Sequence, residues 1–251
     1  MKKLFLIIIC LLHIVPTWAE KPVDCPTFHV IENAPMGFNN STNAATGVHW
    51  DYLTEIHKLS NVCLNKILLP YPRIWQSIKQ GEHDGGIIFK SESRSIFIEY
   101  VAPIRTVKTV VIALKGIKIE NYADLRNITI GKTRGTHLSK QFDQDTDLNI
   151  IELSNYQQAA KMIKHGRIDA IAGSALVLSY QLKANNVLIY VDLENKLVLG
   201  EKEQWLQFSK KSKHLNKIPL LKNAIERLRS NGKFDLIMDK YYGIEWRLIN
   251  Q

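Results

Sequence analysis

The chain carries 33 Lys and Arg against 24 Asp and Glu over 251 residues, a net charge of +9 with histidine neutral. The basic residues are scattered, and the densest cluster (Lys210, Lys211, Lys213) has no interleaved aromatics, which argues against nucleic-acid binding and for a solvated face. The length allows one large domain or two small lobes, each with its own core.

In chain order, a basic start (Lys2, Lys3), an apolar run over 4–15 and Pro16-Thr-Trp-Ala19 read as a secretory signal peptide, residues 1–19, cleaved near Ala19. The run is shorter than the roughly 20 residues a membrane-spanning helix needs, and no later segment is apolar enough, so a soluble exported protein is expected. A lipoprotein is the competing reading, but neither Cys10 nor Cys25 has the small-residue context for lipid attachment. Cys10 leaves with the signal, and the remaining pair, Cys25 and Cys63, suggests a disulfide in an oxidising compartment. Both precede candidate strands, whose starts lie within bridging reach if the strands are parallel neighbours; two buried free thiols are the alternative.

A strand at 28–31 is followed by an Asn-, Gly- and Pro-rich loop over 32–47, long enough to suggest function. The spacing of Val48, Tyr52, Ile56 and Leu59 predicts a helix over 48–60. A strand at 66–69, a helix ending at Gly81 and a strand at 85–89 complete a βαβαβ order, which implies a parallel sheet. Residues 105–114 are strongly β-prone and would leave a first lobe for a second. There follow a turn at Asp124-Leu125, a strand at 128–130, a Gly-containing loop and helix start over 133–141, a strand at 149–152, a helix capped by Ser154, and strands from Ala170 and over 187–191. Residues 196–208 return the chain, and helices over 216–230 and 234–242 finish it.

One repeat organises this order. Ile78-Lys-Gln-Gly-Glu-His-Asp84-Gly-Gly-Ile87 returns 85 positions later as Ile163-Lys-His-Gly-Arg-Ile-Asp169-Ala-Ile-Ala172. In each copy an apolar helical face runs into a Gly able to take the left-handed conformation that ends a helix, and an Asp opens a run of small and apolar residues that reads as a buried strand. Two similar α/β lobes are the simplest architecture for this, and a cleft between them is a natural enclosure for a small molecule.

Several landmarks in order carry a resemblance: Gly47 with Trp50-Asp-Tyr-Leu53, the turns at 81–84 and 166–169, Ser91-Glu-Ser-Arg94, Ala102-Pro103, Arg134-Gly135-Thr136, Tyr156, and the close from Leu228 to Tyr242. The chain resembles the periplasmic (extracellular) solute-binding proteins of family 3, the group of polar amino-acid receptors of ABC transporters. The resemblance implies the α/β, two-lobed type II periplasmic-binding-protein fold, each lobe a mainly parallel sheet flanked by helices and joined by a two-strand hinge. The first lobe would take 20–106 and the C-terminal completion 197–251, and the second lobe 107–196.

The resemblance also implies a site. Arg94 would grip a ligand carboxylate, for which a planar fork of two parallel donors is suited; a surface arginine is the plainer account. Phe89, Lys90 and Ser91 belong to the loop that supplies hydrogen bonds in the family, with Lys90 departing from the usual small residue. Gly135 and Thr136 match a helix start whose free amides bind an anion, with Thr133 and Arg134 adding donors; Thr133 or Thr136 capping its own helix is the alternative. From the long loop, Pro35, Phe38 or a neighbour would form an apolar wall, and a core aromatic accounts for Phe38 equally well. Amino-acid receptors of the family place an acid five residues beyond the turn Asp, where this chain has Ser174. An ammonium without that partner is costly to desolvate, which points to a carboxylate-bearing solute lacking the amine, unless Asp192 or Glu32 substitutes.

No catalytic motif stands out. The eight His show no metal spacing, and Asp143, Asp145 and Asp147 begin like a calcium loop but meet Leu148 and Ser154 where Gly and Glu are required. Neither metal nor other cofactor is expected. The first reading is thus a monomeric, non-enzymatic periplasmic receptor for a small polar solute, delivering to an ABC permease or a membrane sensor. The alternatives are an enzyme on the same fold, a dehydratase of cyclic prephenate-type acids with Glu32, His83 or Glu92 as general acid, and an adaptor with an empty cleft.

Overall fold

The computed structural model describes residues 24–244 and 246–250; the signal peptide over 1–19 lies outside them. From the N-terminus, β1 (Thr27–Ile31) leads through the short pair β2 (Phe38–Asn39) and β3 (Ala45–Thr46) to α1 (Val48–Ser60). Next come β4 (Asn65–Leu69), α2 (Tyr71–Gln80), β5 (Gly85–Phe89) and the long β6 (Ile98–Ala113). The second half holds β7 (Thr129–Thr133), α3 (Lys140–Gln144), β8 (Asn149–Leu153), α4 (Tyr156–Lys164), β9 (Ala170–Ser174) and α5 (Ala175–Ala184). The returning β10 (Leu197–Ser209) is followed by α6 (Ile218–Ser230), α7 (Lys233–Tyr242) and α8 (Trp246–Ile249).

The strands form one ladder in the order β4-β1-β5-β10-β6-β9-β7-β8. β1 lies parallel between β4 and β5, and β7 parallel between β8 and β9, giving two three-stranded parallel units. Between them run β6 and β10, antiparallel to each other and shared by both lobes: β10 pairs β5 through 204–208, and β6 pairs β9 through 109–113. The pairing of β6 with β10 slips at Gln204/Trp205, where Arg105 and Pro103 are the partners and Ile104 is left over. A bulge of this kind bends and twists a ladder locally. It falls where the chain passes from one parallel unit to the other.

The repeat proves to be a repeated construction. The amide of Gly81 donates to Ile78 O and that of Glu82 to Ser77 O, while the amides of Gly166 and Arg167 donate to Ile163 O and Met162 O. Both glycines have positive φ, +81° and +62°, as this closure of a helix end requires. The two aspartates then do the same work on neighbouring strands. Asp84 Oδ2 accepts from Thr27 N at 2.8 Å and Asp169 Oδ2 from Thr129 N at 2.7 Å, so each pins the start of the central strand of its unit.

Cys25 and Cys63 are bridged, with Cα atoms 5.3 Å apart, because β1 and β4 are indeed parallel neighbours in register Thr27 to Asn65. Three expectations fail. Residues 188–190 form a single 3₁₀ turn instead of a strand, with only an isolated bridge from Val191 to Leu114. The helix after β7 begins at Lys140, capped by Ser139, so Gly135-Thr136 is a turn and not a helix start. The N-cap of α4 is Asn155, whose side chain accepts from Gln158 N, and Ser154 instead donates to the Gln158 side chain. α5 had no sequence reading at all: it is apolar on nearly every side, buried at Ala175, Leu176, Val177, Leu178 and Leu182, so it lacks the periodicity that marks a surface helix.

Candidate functional site

A cavity of about 370 Å³ lies between the two parallel units. Its lining follows from the topology. Ile31 ends β1 and Glu32 and Asn33 follow it; Pro70 and Tyr71 follow β4; Phe89 ends β5; Thr133 ends β7; Ser154, Asn155 and Tyr156 follow β8; Ser174 ends β9. All six parallel strands therefore direct their C-terminal ends at one space, three from each lobe, which is where open α/β sheets bind ligands. Met36, Thr136, Val177 and Gln204 complete the wall.

The walls are aromatic and aliphatic with interspersed hydroxyls and amides. Tyr156 is buried, and burial pushes its phenol up to about 12, so the group stays neutral; its oxygen accepts from Ser174 N at 3.5 Å. Its ring leaves no room at Gly173, where a Cβ would come within 2.6 Å of the ring and hydroxyl. Thr133 Oγ1 is buried with no partner among the described residues, while Thr136 Oγ1 donates to Thr133 O at 2.6 Å. Glu32 is the one carboxylate of the lining, which contains no Lys, Arg, His or Cys among the described residues. Beside the cavity the lobes approach each other: Gln181 of α5 donates to Asn33 Oδ1 and Ala34 O, and a Cβ at Gly135 would sit 3.7 Å from the Trp75 indole nitrogen.

Of the residues singled out in the sequence, Phe89, Thr133, Thr136 and Ser174 line this cavity. Arg94 is 5% exposed and stands behind the wall, its guanidinium directed at Phe89 O (3.4 Å) and Tyr71 Oη (3.5 Å), both on lining residues. It has no carboxylate within 4.0 Å among the described residues. Lys90 and Ser91 lie on a separate open cleft, with Lys90 Nζ 4.3 Å from the Trp205 ring centre and Ser91 bonded through its backbone to Tyr100 Oη. Phe38 lines a neighbouring groove and packs edge-on to Tyr241. Arg134 is exposed and meets Glu152 at 3.4 Å; Gly135 lies beside Trp75, outside the lining. Asp192 caps its own turn through Glu194 and Asn195. His83 bonds Ser77 and packs tilted against His29, and Glu92 sits on the open cleft, so of the three candidate acids Glu32 alone reaches the cavity.

The sequence reading missed Tyr71, Asn155, Val177 and Gln204. The first two were accessible from a simple signal, the residues just after a predicted strand; the last two depend on how α5 and β10 are placed by the rest of the molecule.

Two α/β lobes, a two-strand connection and a cavity at the strand ends define the periplasmic-binding-protein fold. Residues 29–244 match the profile of the bacterial extracellular solute-binding proteins, family 3, and the chain belongs to that family. A probable histidine-binding protein of Neisseria gonorrhoeae is 22% identical over 222 residues, covering 85% of this chain and 81% of its own. An arginine-binding periplasmic protein of Mannheimia haemolytica is 25% identical over 215 residues, covering 83% and 87%. Among solved structures, a histidine kinase sensor domain with similarity to periplasmic binding proteins superposes with a TM-score of 0.74 at 14% identity, covering 87% of this chain and 96% of that one.

Proposed function

We propose that this protein is a non-enzymatic periplasmic receptor that closes its lobes over one amino acid or closely related carboxylate and presents the closed form to a membrane partner, an ABC permease or a sensor. The observation that carries the reading is the meeting of six strand ends around one cavity with a buried arginine behind it. Arg94 is the carboxylate group's partner: its fork lies behind Tyr71 and Phe89, with only long contacts to Phe89 O and Tyr71 Oη to satisfy it. Glu32, on the cavity wall, takes the role of the acid replaced by Ser174 and offers an ammonium its counter-charge. Thr133 and Thr136 supply hydroxyls from the second lobe, so the solute bridges both lobes and its binding favours the closed state.

A thermal-shift screen of the mature protein, refolded to remove carried-over solute, against amino acids, organic acids, amines and sugars tests this. An amino acid or carboxylate is expected to raise the melting temperature, since a solute at a hundred times its Kd adds about 2.7 kcal/mol to the native state. The shift should vanish in R94A, and E32Q should weaken amino acids more than simple acids. A shift confined to sugars, or turnover of the stabilising compound, would refute the reading.

A further inference from the structure

Gln204 lines the cavity from β10, at the bulge where the two shared strands slip register, and is 4% exposed. Its Oε1 accepts from Arg105 Nε at 2.8 Å and lies 3.4 Å from His49 Nε2. A guanidinium has donors only, so whichever way an amide is drawn, the oxygen must be the end that faces Arg105. The amide nitrogen then has to point away. It has no partner among the described residues, and the residue that carries it lines the cavity.

We propose that Gln204 is a hinge-borne donor to the bound solute, and that Arg105 is a positioning residue that turns the amide so that its N–H groups, not its oxygen, meet the solute. The pocket therefore selects for an acceptor atom at this end, and a solute offering a donor there is rejected. Arg105 is itself well placed for a fixed role. It is half-buried, has no carboxylate within 4.0 Å among the described residues, and its remaining nitrogens abut the sulfurs of Met238 and Met36. His49 supports the same orientation. It is fully buried, and burial with the Arg105 charge pushes its pKa down to about 3, so the ring is neutral, and its Nε2–H tautomer donates to Oε1 across 3.4 Å.

The inference rests on the proposed receptor function, and the experiment separates the two. Each of the twenty L-amino acids is titrated calorimetrically into the wild-type mature protein and into Q204M, R105M, R105K and the R105M/Q204M double variant, with melting temperatures recorded for all. The amino acid that the wild type binds should bind Q204M about three- to tenfold more weakly, the scale of one lost hydrogen bond. R105M should lose a similar factor because its amide is free to turn, R105K should regain most of it because an ammonium is also donor-only, and the double variant should be no weaker than Q204M alone. Where R105M does not fold, Q204E replaces it: a carboxylate has no N–H to give, so its loss should at least equal that of Q204M. Losses that simply add in the double variant, or unchanged affinity in Q204M or Q204E, overturn the positioning role and leave the receptor standing. Binding of no amino acid by the wild type removes this inference together with the amino-acid reading.

Discussion

Lowering the pH should destabilise this protein well before its carboxylates are titrated, through a histidine that lies outside the cavity. His29 is the middle residue of β1, wholly buried, with neither ring nitrogen partnered among the described residues and the ring of His83 4.4 Å away. Burial first, and the neighbouring imidazole second, push its pKa down to about 4 from 6.5. The native ring is then neutral where an unfolded one takes a proton, so stability is fully present above about pH 6.5 and is lost as the pH falls toward 4. Between about pH 7 and about pH 5 the linkage amounts to about 2 kcal/mol for this one group. His49, held down to about 3, adds a similar loss over the same interval. Urea unfolding of the wild type and of H29L at the two pH values isolates the term: H29L should lose about 2 kcal/mol less than the wild type on acidification. Equal losses in the two proteins would refute the argument, since they would mean that His29 is protonated in the native state as readily as in the unfolded one.

Two further perturbations test the construction of the fold. Replacing Cys25 and Cys63 by serine opens a crosslink spanning 38 residues, for which loop-closure entropy predicts a loss of about 4 kcal/mol, read as a lower urea midpoint with an unchanged cavity. D84A and D169A each strand a strand-initiating amide, of Thr27 and Thr129, and should cost about 1–3 kcal/mol by urea unfolding; D84A should be the more damaging, since Asp84 also holds Ser212 at 2.5 Å.

Much of the architecture was legible in the sequence for a plain reason. Helix 48–60 and the strand over 85–89 carry periodicities and stop signals that local physics alone enforces, and the structure realises them with the same bounds. The duplicated Gly–Asp turn was likewise local, since the helix closure involves residues within five positions. α5 was not legible, because a helix buried on all sides has no polar face to reveal its period. The run over 187–191 misled for the opposite reason: a β-prone stretch found one bridge and no continuous partner, so it settled as a 3₁₀ turn.

By itself, then, the sequence determined the two α/β units, their parallel strands and the strand ends from which most of the cavity is built, because each depends on short-range pattern and strand order. Only the tertiary structure decided what those ends enclose. It put Arg94 behind Tyr71 and Phe89, turned Lys90 onto Trp205, and brought Glu32, Thr133 and Gln204 to one space from segments of the chain more than 70 residues apart. Which side chain faces a shared cavity depends on the twist and bulge of the two connecting strands and on the packing of one lobe against the other, and these contacts between distant segments leave no periodic trace in the sequence.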